Sequence, residues 1–407
     1  MGARDAQADA PAEHDSVDAL VEATHDSPAP SRRRHRLAAV IASALGGLAL
    51  AGGGIAAGIV HLSANERFDA AADELDESVE RAAAADDALS ATLTAVHAEI
   101  DLAGKISQAA TPALVGQAAD ETLETMVTAA SGSVDAAATL LARAEPKHDP
   151  AKPLWPWELH DEASVLESRA DQTDASTRLV ETTEDALADA SADLGEAVSD
   201  LYASVAPAAA GLEEASVSAE ADVVLDFREA AGAASAQSEI ADAALIALQD
   251  YARQAEALRA SGEAEAAEKA GPLYERRLEV EAFARSIAGG VVLDFDWAPV
   301  VAGVGGANAL GGTAEWDPDR GGTATLTFSD SVAQWWPDEV AQAVVAHEVG
   351  HAISAKCVGM YDQTRRSTRE EWATAWAISM GHTSYGNGTQ AYGPPRQEIV
   401  DLAATCR

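Results

Sequence analysis

The chain has 407 residues, enough for two or three domains, and its formal net charge at neutral pH is −40. That charge argues against a nucleic-acid partner, because binding nucleic acid requires clustered lysine and arginine to replace phosphate counterions. Hydrophobic residues make up 47% of the chain and aromatic residues only 5%. Much of the apolar content is alanine, so the composition predicts slender helices rather than one thick core.

The N-terminal residues 1–36 are rich in alanine, acidic residues and proline, and they end in the basic run Arg32-Arg33-Arg34-His35-Arg36. They are predicted to form a disordered cytoplasmic tail. Residues 37–62 contain no Asp, Glu, Lys or Arg, and a helix of that length exceeds the roughly 30 Å hydrocarbon layer. They are predicted to be a transmembrane signal anchor, with a cleaved signal peptide as the alternative. The flanking charges predict a single-pass cell-membrane protein whose C-terminal part is extracytoplasmic.

Residues 63–288 are predicted to form an acidic, alanine-rich helical ectodomain. Apolar residues recur there at a spacing of three to four among Ala, Asp and Glu, which is typical of amphipathic helices. A proline-rich break at 145–157 interrupts the pattern. We expect an extended antiparallel bundle or coiled-coil-like stalk, with a homodimer through this stalk or through Gly54 and Gly58 of the anchor as a further expectation.

Residues 289–407 differ in composition and are predicted to form a small α+β domain. Residues 291–297 have a strand-like pattern, and residues 313–316 and 323–328 flank a turn and predict a hairpin. A helix is then predicted from Pro337 to about Lys356, because proline next to acidic residues suits a first helical turn.

The predicted helix contains the motif His347-Glu348-Val349-Gly350-His351. Two histidines four residues apart lie about 40° apart around a helix axis, so both can ligate one Zn²⁺ ion. Glu348 is in reach of a water molecule on that ion and is predicted to act as the general base.

A third protein ligand is expected from the next helix, which begins near Ser367 and Thr368 and contains Glu370 and Glu371. One of the two glutamates could close a capping box, either Thr368 with Glu371 or Ser367 with Glu370. The first arrangement leaves Glu370 for the metal. Glu370 is therefore the predicted ligand, and Glu371 is the alternative.

Residues 290–407 resemble the gluzincin-type zinc metallopeptidases, especially their minimal single-domain forms. The resemblance comes from the hairpin, the His347-Glu348-x-x-His351 helix and the run from Glu370 to Ala377. It implies a zincin-like fold, Glu370 as the zinc ligand, and pairing of residues 323–328 with a peptide substrate. Thr374 stands where the family has an aspartate that supports a zinc-bound histidine, and a threonine brings no charge to that contact.

The oxyanion of a tetrahedral intermediate also needs a donor besides zinc. His382, Tyr385 and Tyr392 follow the second helix in a glycine-rich segment and are candidates, with a structural or surface role as the alternative for each. The two cysteines, Cys357 and Cys406, are expected to form a disulfide outside the cytoplasm. A second metal site and free thiols are the alternatives.

Together these observations predict a mostly α protein with a single transmembrane helix, a helical ectodomain and a C-terminal zinc-peptidase domain. The predicted function is extracytoplasmic hydrolysis of peptide bonds in peptide or protein substrates. The alternative is a cell-surface helical interaction protein whose terminal domain binds zinc without useful turnover, and Thr374 favours it.

Overall fold

The computed structural model describes residues 41–143, 151–306 and 309–407, with side chains from residue 57 onward. The predicted tail over 1–36 and residues 145–150 of the proline-rich break lie outside these residues. The described helices are α1 (Ile41–Ala109), α2 (Pro112–Val115), α3 (Gln117–Leu141), α4 (Pro156–Ala203), α5 (Val205–Ala215), α6 (Ala221–Ser235), α7 (Asp242–Glu268), α8 (Tyr274–Ile287), α9 (Asp330–Trp335), α10 (Glu339–Ala352), α11 (Arg366–Ser379), α12 (Thr389–Tyr392) and α13 (Gln397–Ala403). The strands are β1 (Val292–Ala298), β2 (Val300–Val301), β3 (Val304–Gly305), β4 (Gly312–Asp317) and β5 (Thr323–Ser329).

The predicted transmembrane signal anchor over residues 37–62 is contradicted by the helices that the structure describes. None of them is both long enough and apolar enough to cross a membrane, and the predicted single-pass membrane location depended on such a helix. Residues 37–40 lie outside the described part, and Ile41 begins α1, which continues into acidic sequence as far as Ala109. More than half of residues 37–62 are glycine or alanine, which bring little apolar surface, so the lack of charge was a poor guide.

The chain divides into two compact units, residues 1–70 with 152–164 and residues 71–151 with 165–407. In the described part of the first unit, the Lys152 ammonium binds the Asp69 carboxylate at 2.5 Å and lies 5.3 Å from the centre of the Phe68 ring. The rings of Trp155 and Trp157 stack with their centres 5.2 Å apart. Short contacts between side chains thus join the start of α4 to the segment before it and to α1.

Helices α1 and α4 have buried positions at an alternating spacing of three and four, the pattern of a coiled-coil seam. Cross-contacts in the second unit give their relative direction. Arg81 binds Asp174 at 2.8 Å, Thr92 binds Glu184 at 3.1 Å, and Ser191 binds Glu99 at 2.5 Å. Residue numbers increase along both helices together, so α1 and α4 are parallel, and the expectation of an antiparallel pair was wrong for them. The connecting chain includes α3, which allows a parallel arrangement.

The core of this helical region uses a few large side chains among many alanines. Fully buried members include Leu89, Ile106, Leu123, Leu187, Tyr202, Phe227 and Tyr251. The rings of Phe227 and Tyr251 lie 5.6 Å apart. Acidic residues occupy the exposed faces of the same helices. The helical repeat thus places the apolar residues on the buried face and the charged residues on the exposed face.

The C-terminal domain contains a three-stranded sheet in the order β1-β5-β4. Strand β5 pairs in parallel with β1 and antiparallel with β4, which confirms the predicted hairpin. Residues 323–328, expected from the resemblance to pair with substrate, therefore belong to the central strand, and both of its edges are already used. The edge strand that packs against α10 is β4.

Helix α8 packs into the core of this domain, although the predicted boundary at residue 289 assigned it to the helical region. Val280 and Ala284 of α8 are buried with Phe328, Val345 and Trp376. Its Glu281 is fully buried and accepts a hydrogen bond from the indole nitrogen of Trp297 at 3.1 Å. The C-terminal domain thus includes α8, one helix more than its composition indicated.

Candidate metal centre

Helix α10 brings His347, Glu348 and His351 into the domain interior. The side chain of Asp338 caps its first turn by accepting a hydrogen bond from the Val340 amide at 2.9 Å, which satisfies one free amide at the helix start. From Val340 to Ala352, all residues except Gln342 are buried. His347, Glu348 and His351 remain only 5%, 6% and 8% exposed, so their polar atoms need partners inside the protein.

Helix α11 crosses α10 at Gly350, the fourth residue of the motif. A β-carbon at residue 350 would lie 2.7 Å from the carbonyl oxygen of Ala373, so only glycine allows the two backbones to approach this closely. Trp372 and Trp376 of α11 are fully buried beside this crossing. The close packing brings Glu370, in the second turn of α11, over the two histidines.

The three side chains present their donor atoms to one point. The Nε2 atoms of His347 and His351 each lie 3.3 Å from Oε2 of Glu370. An ion bound tetrahedrally at 2.0–2.1 Å separates its donors by about 3.3 Å. His347, His351 and Glu370 could therefore bind one metal ion, and a fourth position would remain open for a water molecule or a substrate.

His347 is oriented by an acceptor that the sequence did not reveal. Its Nδ1 donates a hydrogen bond to the backbone carbonyl of Asn387 at 3.0 Å, which leaves Nε2 with the lone pair that a metal requires. The Thr374 hydroxyl is farther, at 3.5 Å from the same Nδ1. A carbonyl thus takes the place that the resemblance assigned to an acidic residue. The glycines that flank Asn387 were the available signal of a tight backbone approach.

His351 is covered by Trp316 of strand β4. The two rings are nearly parallel, with an interplanar angle of 9° and centres 5.9 Å apart. Within the described residues, Nδ1 of His351 is buried and has no hydrogen-bond partner. The other ring nitrogen, Nε2, lies 3.3 Å from Oε2 of Glu370, so it is the nitrogen of His351 that faces the metal position.

Glu370 and Glu371 have different environments. Burial raises the pKa of the Glu370 carboxyl, but its contacts with the imidazoles of His347 and His351 outweigh burial and hold that pKa well below its usual value. Glu371 instead accepts hydrogen bonds from the Arg396 guanidinium, one of them at 2.8 Å. Neither glutamate closes the expected capping box, because α11 begins at Arg366 with Arg365 at its N-cap, so Ser367 and Thr368 both lie inside the helix.

Glu348 lies on the β4 side of the cluster. Burial raises the pKa of its carboxyl, and the nearby imidazoles partly offset this effect. A β-carbon at Gly312, the first residue of β4, would lie 2.7 Å from Oε1 of Glu348. The glycine therefore leaves room for this carboxylate between α10 and the edge strand.

The three oxyanion candidates lie in different places. The ring of Tyr392 stacks on His347 with centres 5.9 Å apart. His382 packs edge-on against Phe283 at 5.4 Å, and burial lowers its pKa. The side chain of Tyr385 is 56% exposed. Of the three candidates, only Tyr392 has a recorded ring contact with a residue of the His347, His351 and Glu370 cluster.

Cys357 and Cys406 form a disulfide across a sequence separation of 49 residues. Cys357 follows the short helical turn at the end of α10, and Cys406 is buried in the core of the domain. The bond joins the end of the metal-binding helix to the segment after α13. In the structure, this pairing excludes the alternatives of free thiols and a second metal site at these residues.

No family model, curated protein or solved structure matches this chain.

Proposed function

We propose that the C-terminal domain is a zinc-dependent hydrolase of peptide bonds, of the gluzincin type that residues 290–407 resemble. The observation that carries this proposal is the convergence of two imidazoles and one carboxylate beside a buried glutamate, with each imidazole Nε2 at 3.3 Å from the carboxylate and all three donor atoms within 4.8 Å of one another. Nitrogen and carboxylate donors with one open position are typical of catalytic zinc sites. The contrasting environments of Glu370 and Glu371 support Glu370 as the third ligand.

Glu348 is the proposed general base. A zinc ion bound by His347, His351 and Glu370 would supply a Lewis acid that polarises a carbonyl group and acidifies water. Glu348 would accept a proton from the attacking water and later return it to the leaving amine. Its raised pKa supports this role, because a base works best when its pKa is near the working pH.

Strand β4 supports a peptide as the substrate. It is the edge strand of its sheet, and it packs against α10. An extended peptide can add to such an edge through backbone hydrogen bonds. Its scissile bond would then pass beside Glu348, which touches the first residue of β4. The strand that pairs with the substrate is thus proposed to be β4 rather than residues 323–328.

Tyr392 is the proposed donor to the oxyanion. Its ring stacks on a proposed zinc ligand, and the residue is 49% exposed, so a substrate at the site could reach it. We expect Tyr392→Phe to lower kcat about 10²- to 10³-fold, because one oxyanion donor is typically worth that much. Tyr385→Phe, in the same segment, is the matched control and should change kcat little. Equal losses in both variants would argue against this role.

The alternative was a helical interaction protein whose terminal domain binds zinc without useful turnover. It depended on Thr374, which stands in place of an acidic partner for His347. The carbonyl of Asn387 accepts the hydrogen bond from His347 Nδ1. His347 therefore has an acceptor without an acidic residue at position 374, and Thr374 no longer favours the alternative. We therefore retain hydrolysis as the proposed function.

Hydrolysis of an unstructured protein by the zinc-loaded chain tests the proposal directly. We expect Glu348→Gln to lower the rate at least about 10²-fold, because the amide keeps the volume but cannot accept the proton. Glu371→Gln is a matched control on the neighbouring helix and should keep the wild-type rate. Equal background rates in wild type and Glu348→Gln would refute the enzymatic function.

Zinc affinity tests the ligand set independently of turnover. In competition with a chromogenic chelator, Glu370→Gln should bind zinc at least about tenfold more weakly, because a neutral amide replaces the anionic donor. Glu371→Gln should bind zinc as the wild type does. A loss of affinity only in Glu371→Gln would exchange the roles of the two glutamates.

A further inference from the structure

Each candidate metal-ligating histidine is covered by an aromatic ring, and each of those rings has an arginine beside it. Tyr392 stacks on His347, and the hydroxyl of Tyr392 interacts with Arg366. Trp316 stacks on His351, and the guanidinium of Arg369 lies 5.8 Å from the centre of the Trp316 ring. Two positive charges thus border the cluster in a protein whose net charge is −40.

The two arginines differ in their partners. The Nε atom of Arg366 lies 3.4 Å from Oε1 of Glu370, so this cation already pairs with the candidate ligand. Arg369 contacts the Trp316 ring and its charge acts on the Tyr361 hydroxyl, and within the described residues no carboxylate lies within 4 Å of its guanidinium. Arg369 is therefore the cation at the site that remains available to an incoming anion.

Trp316 places this cation beside the proposed path of the substrate. It belongs to β4, the edge strand. Successive strand residues point to opposite faces, so the exposed Glu315 and Asp317 face away from the side where Trp316 meets His351 and Arg369. A peptide added to the β4 edge would pass within reach of Arg369 without first meeting those two carboxylates.

The net charge of the chain does not override this local arrangement. At physiological ionic strength the Debye length is about 8 Å, so exposed carboxylates on the distant helices are largely screened at the site. A guanidinium in direct contact with a carboxylate forms a charge-assisted hydrogen bond that screening weakens far less. The local cation therefore decides which side chain is favoured next to the cluster.

We propose that Arg369 selects substrates that carry a carboxylate side chain close to the scissile bond, with Trp316 holding the guanidinium in place. This inference rests on the proposed peptide hydrolysis at the same site. It assigns Arg369 a role in specificity and none in the chemical step.

Equilibrium binding to zinc-loaded Glu348→Gln protein tests the inference without requiring turnover. The probes are short peptides that differ in one position, scanned along the peptide and occupied by Glu, Gln or Lys. We expect the best Glu peptide to bind about two- to fivefold more tightly than its Gln counterpart, as for a partly exposed ion pair. Adding Arg369→Gln should abolish this preference, and adding Arg369→Glu should reverse it towards Lys.

Arg365→Gln is the matched control, because Arg365 adjoins the start of the same helix and pairs with Asp362 at 3.3 Å. It should keep the preference for Glu. Equal affinity for Glu and Gln peptides, or a preference that survives Arg369→Gln, would overturn the inference.

Hydrolysis of the same peptides by wild-type protein separates the two proposals. Selective binding that depends on Arg369 without any cleavage would refute the hydrolase and keep the specificity role. Cleavage without a charge preference would do the reverse.

Discussion

Gly388 lies against the candidate ligand His347 in a conformation that side chains rarely adopt. Its φ is +94°, and a β-carbon there would lie 2.7 Å from Nδ1 of His347. The same residue follows Asn387, whose carbonyl accepts the hydrogen bond from that nitrogen. The backbone at residue 388 therefore determines where the imidazole can lie.

We predict that Gly388→Ala lowers both stability and zinc affinity. The positive φ should cost about 1–3 kcal/mol, and displacement of His347 should weaken zinc binding about tenfold or more. Gly381→Ala is the matched control, because Gly381 has a φ of +95° and open space around its Cα. It should lose stability in urea unfolding but keep its zinc affinity, and a similar affinity loss in both variants would contradict the prediction.

At this scale, residue types at a fixed helical spacing were predictable and contacts between distant elements were not. His347, Glu348 and His351 share one short motif, so their placement on one helix followed from periodicity alone. The acceptor for His347 is a backbone carbonyl, which any residue type provides, and the Trp316 ring arrives from a strand more than thirty positions earlier. The glycines that flank Asn387 are the one local sign of the first contact, and the second contact leaves no sign in the local sequence.

Asp294 connects two elements, since strand β1 carries it and helix α6 begins at its carboxylate. Its Oδ1 accepts a hydrogen bond at 2.5 Å from the amide of Ala221, the first residue of α6. Burial raises the pKa of Asp294 to about 6, and the charges of Glu220 and Glu265 add to this effect. The carboxylate caps a helix that has no capping side chain of its own at Glu220.

We predict that Asp294 makes the protein less stable as the pH rises from about 4 to 6. Its folded pKa is above the unfolded value of about 3.9, so over this range the folded state binds more protons and stability falls with pH. Asp294→Asn should match the wild type near pH 4 and exceed its unfolding free energy by about 2 kcal/mol at pH 7.5.

Urea unfolding at the two pH values measures this difference. Asp296→Asn, at an exposed position of the same strand, is the control and should track the wild type at both. A difference between Asp294→Asn and the wild type that does not change with pH would contradict the assigned pKa.

The sequence pattern predicted which segments form helices and strands better than it predicted how those elements are arranged. The hairpin and the helix of the histidine motif followed from alternation, turn residues and a first-turn proline. The strand order did not follow from the pattern, because β1 pairs in parallel with β5 although β4 lies between them in the sequence. Of the two expected arrangements, an antiparallel bundle or a coiled-coil-like stalk, the antiparallel one was wrong for α1 and α4, because a heptad pattern is the same for parallel and antiparallel partners.

For the whole molecule, the lack of charge in residues 37–62 led to a wrong prediction of membrane spanning.

The C-terminal domain is held together by a covalent link as well as by its core. Cys357 and Cys406 close a loop with a sequence separation of 49 residues, and the Trp376 indole donates to the carbonyl of Cys406 at 3.0 Å.

We predict that replacing both cysteines with serine lowers the free energy of unfolding by about 4 kcal/mol, the chain-entropy value for a loop of this length. Urea unfolding of wild-type protein with and without dithiothreitol measures the same difference in one chain. The reduced wild type should match the double serine variant. No effect of reduction would show that the link adds nothing to stability.

The indole of Trp316 lies parallel to the ring of His351, which would coordinate the ion, with the ring centres 5.9 Å apart. The site therefore contains a built-in optical probe: exchange of a colourless ion for paramagnetic cobalt should dim emission from this tryptophan. Occupancy could then be followed in real time on unlabelled protein, and Trp316→Phe, which keeps the other seven of the eight tryptophans, would identify the part of the signal that comes from this residue.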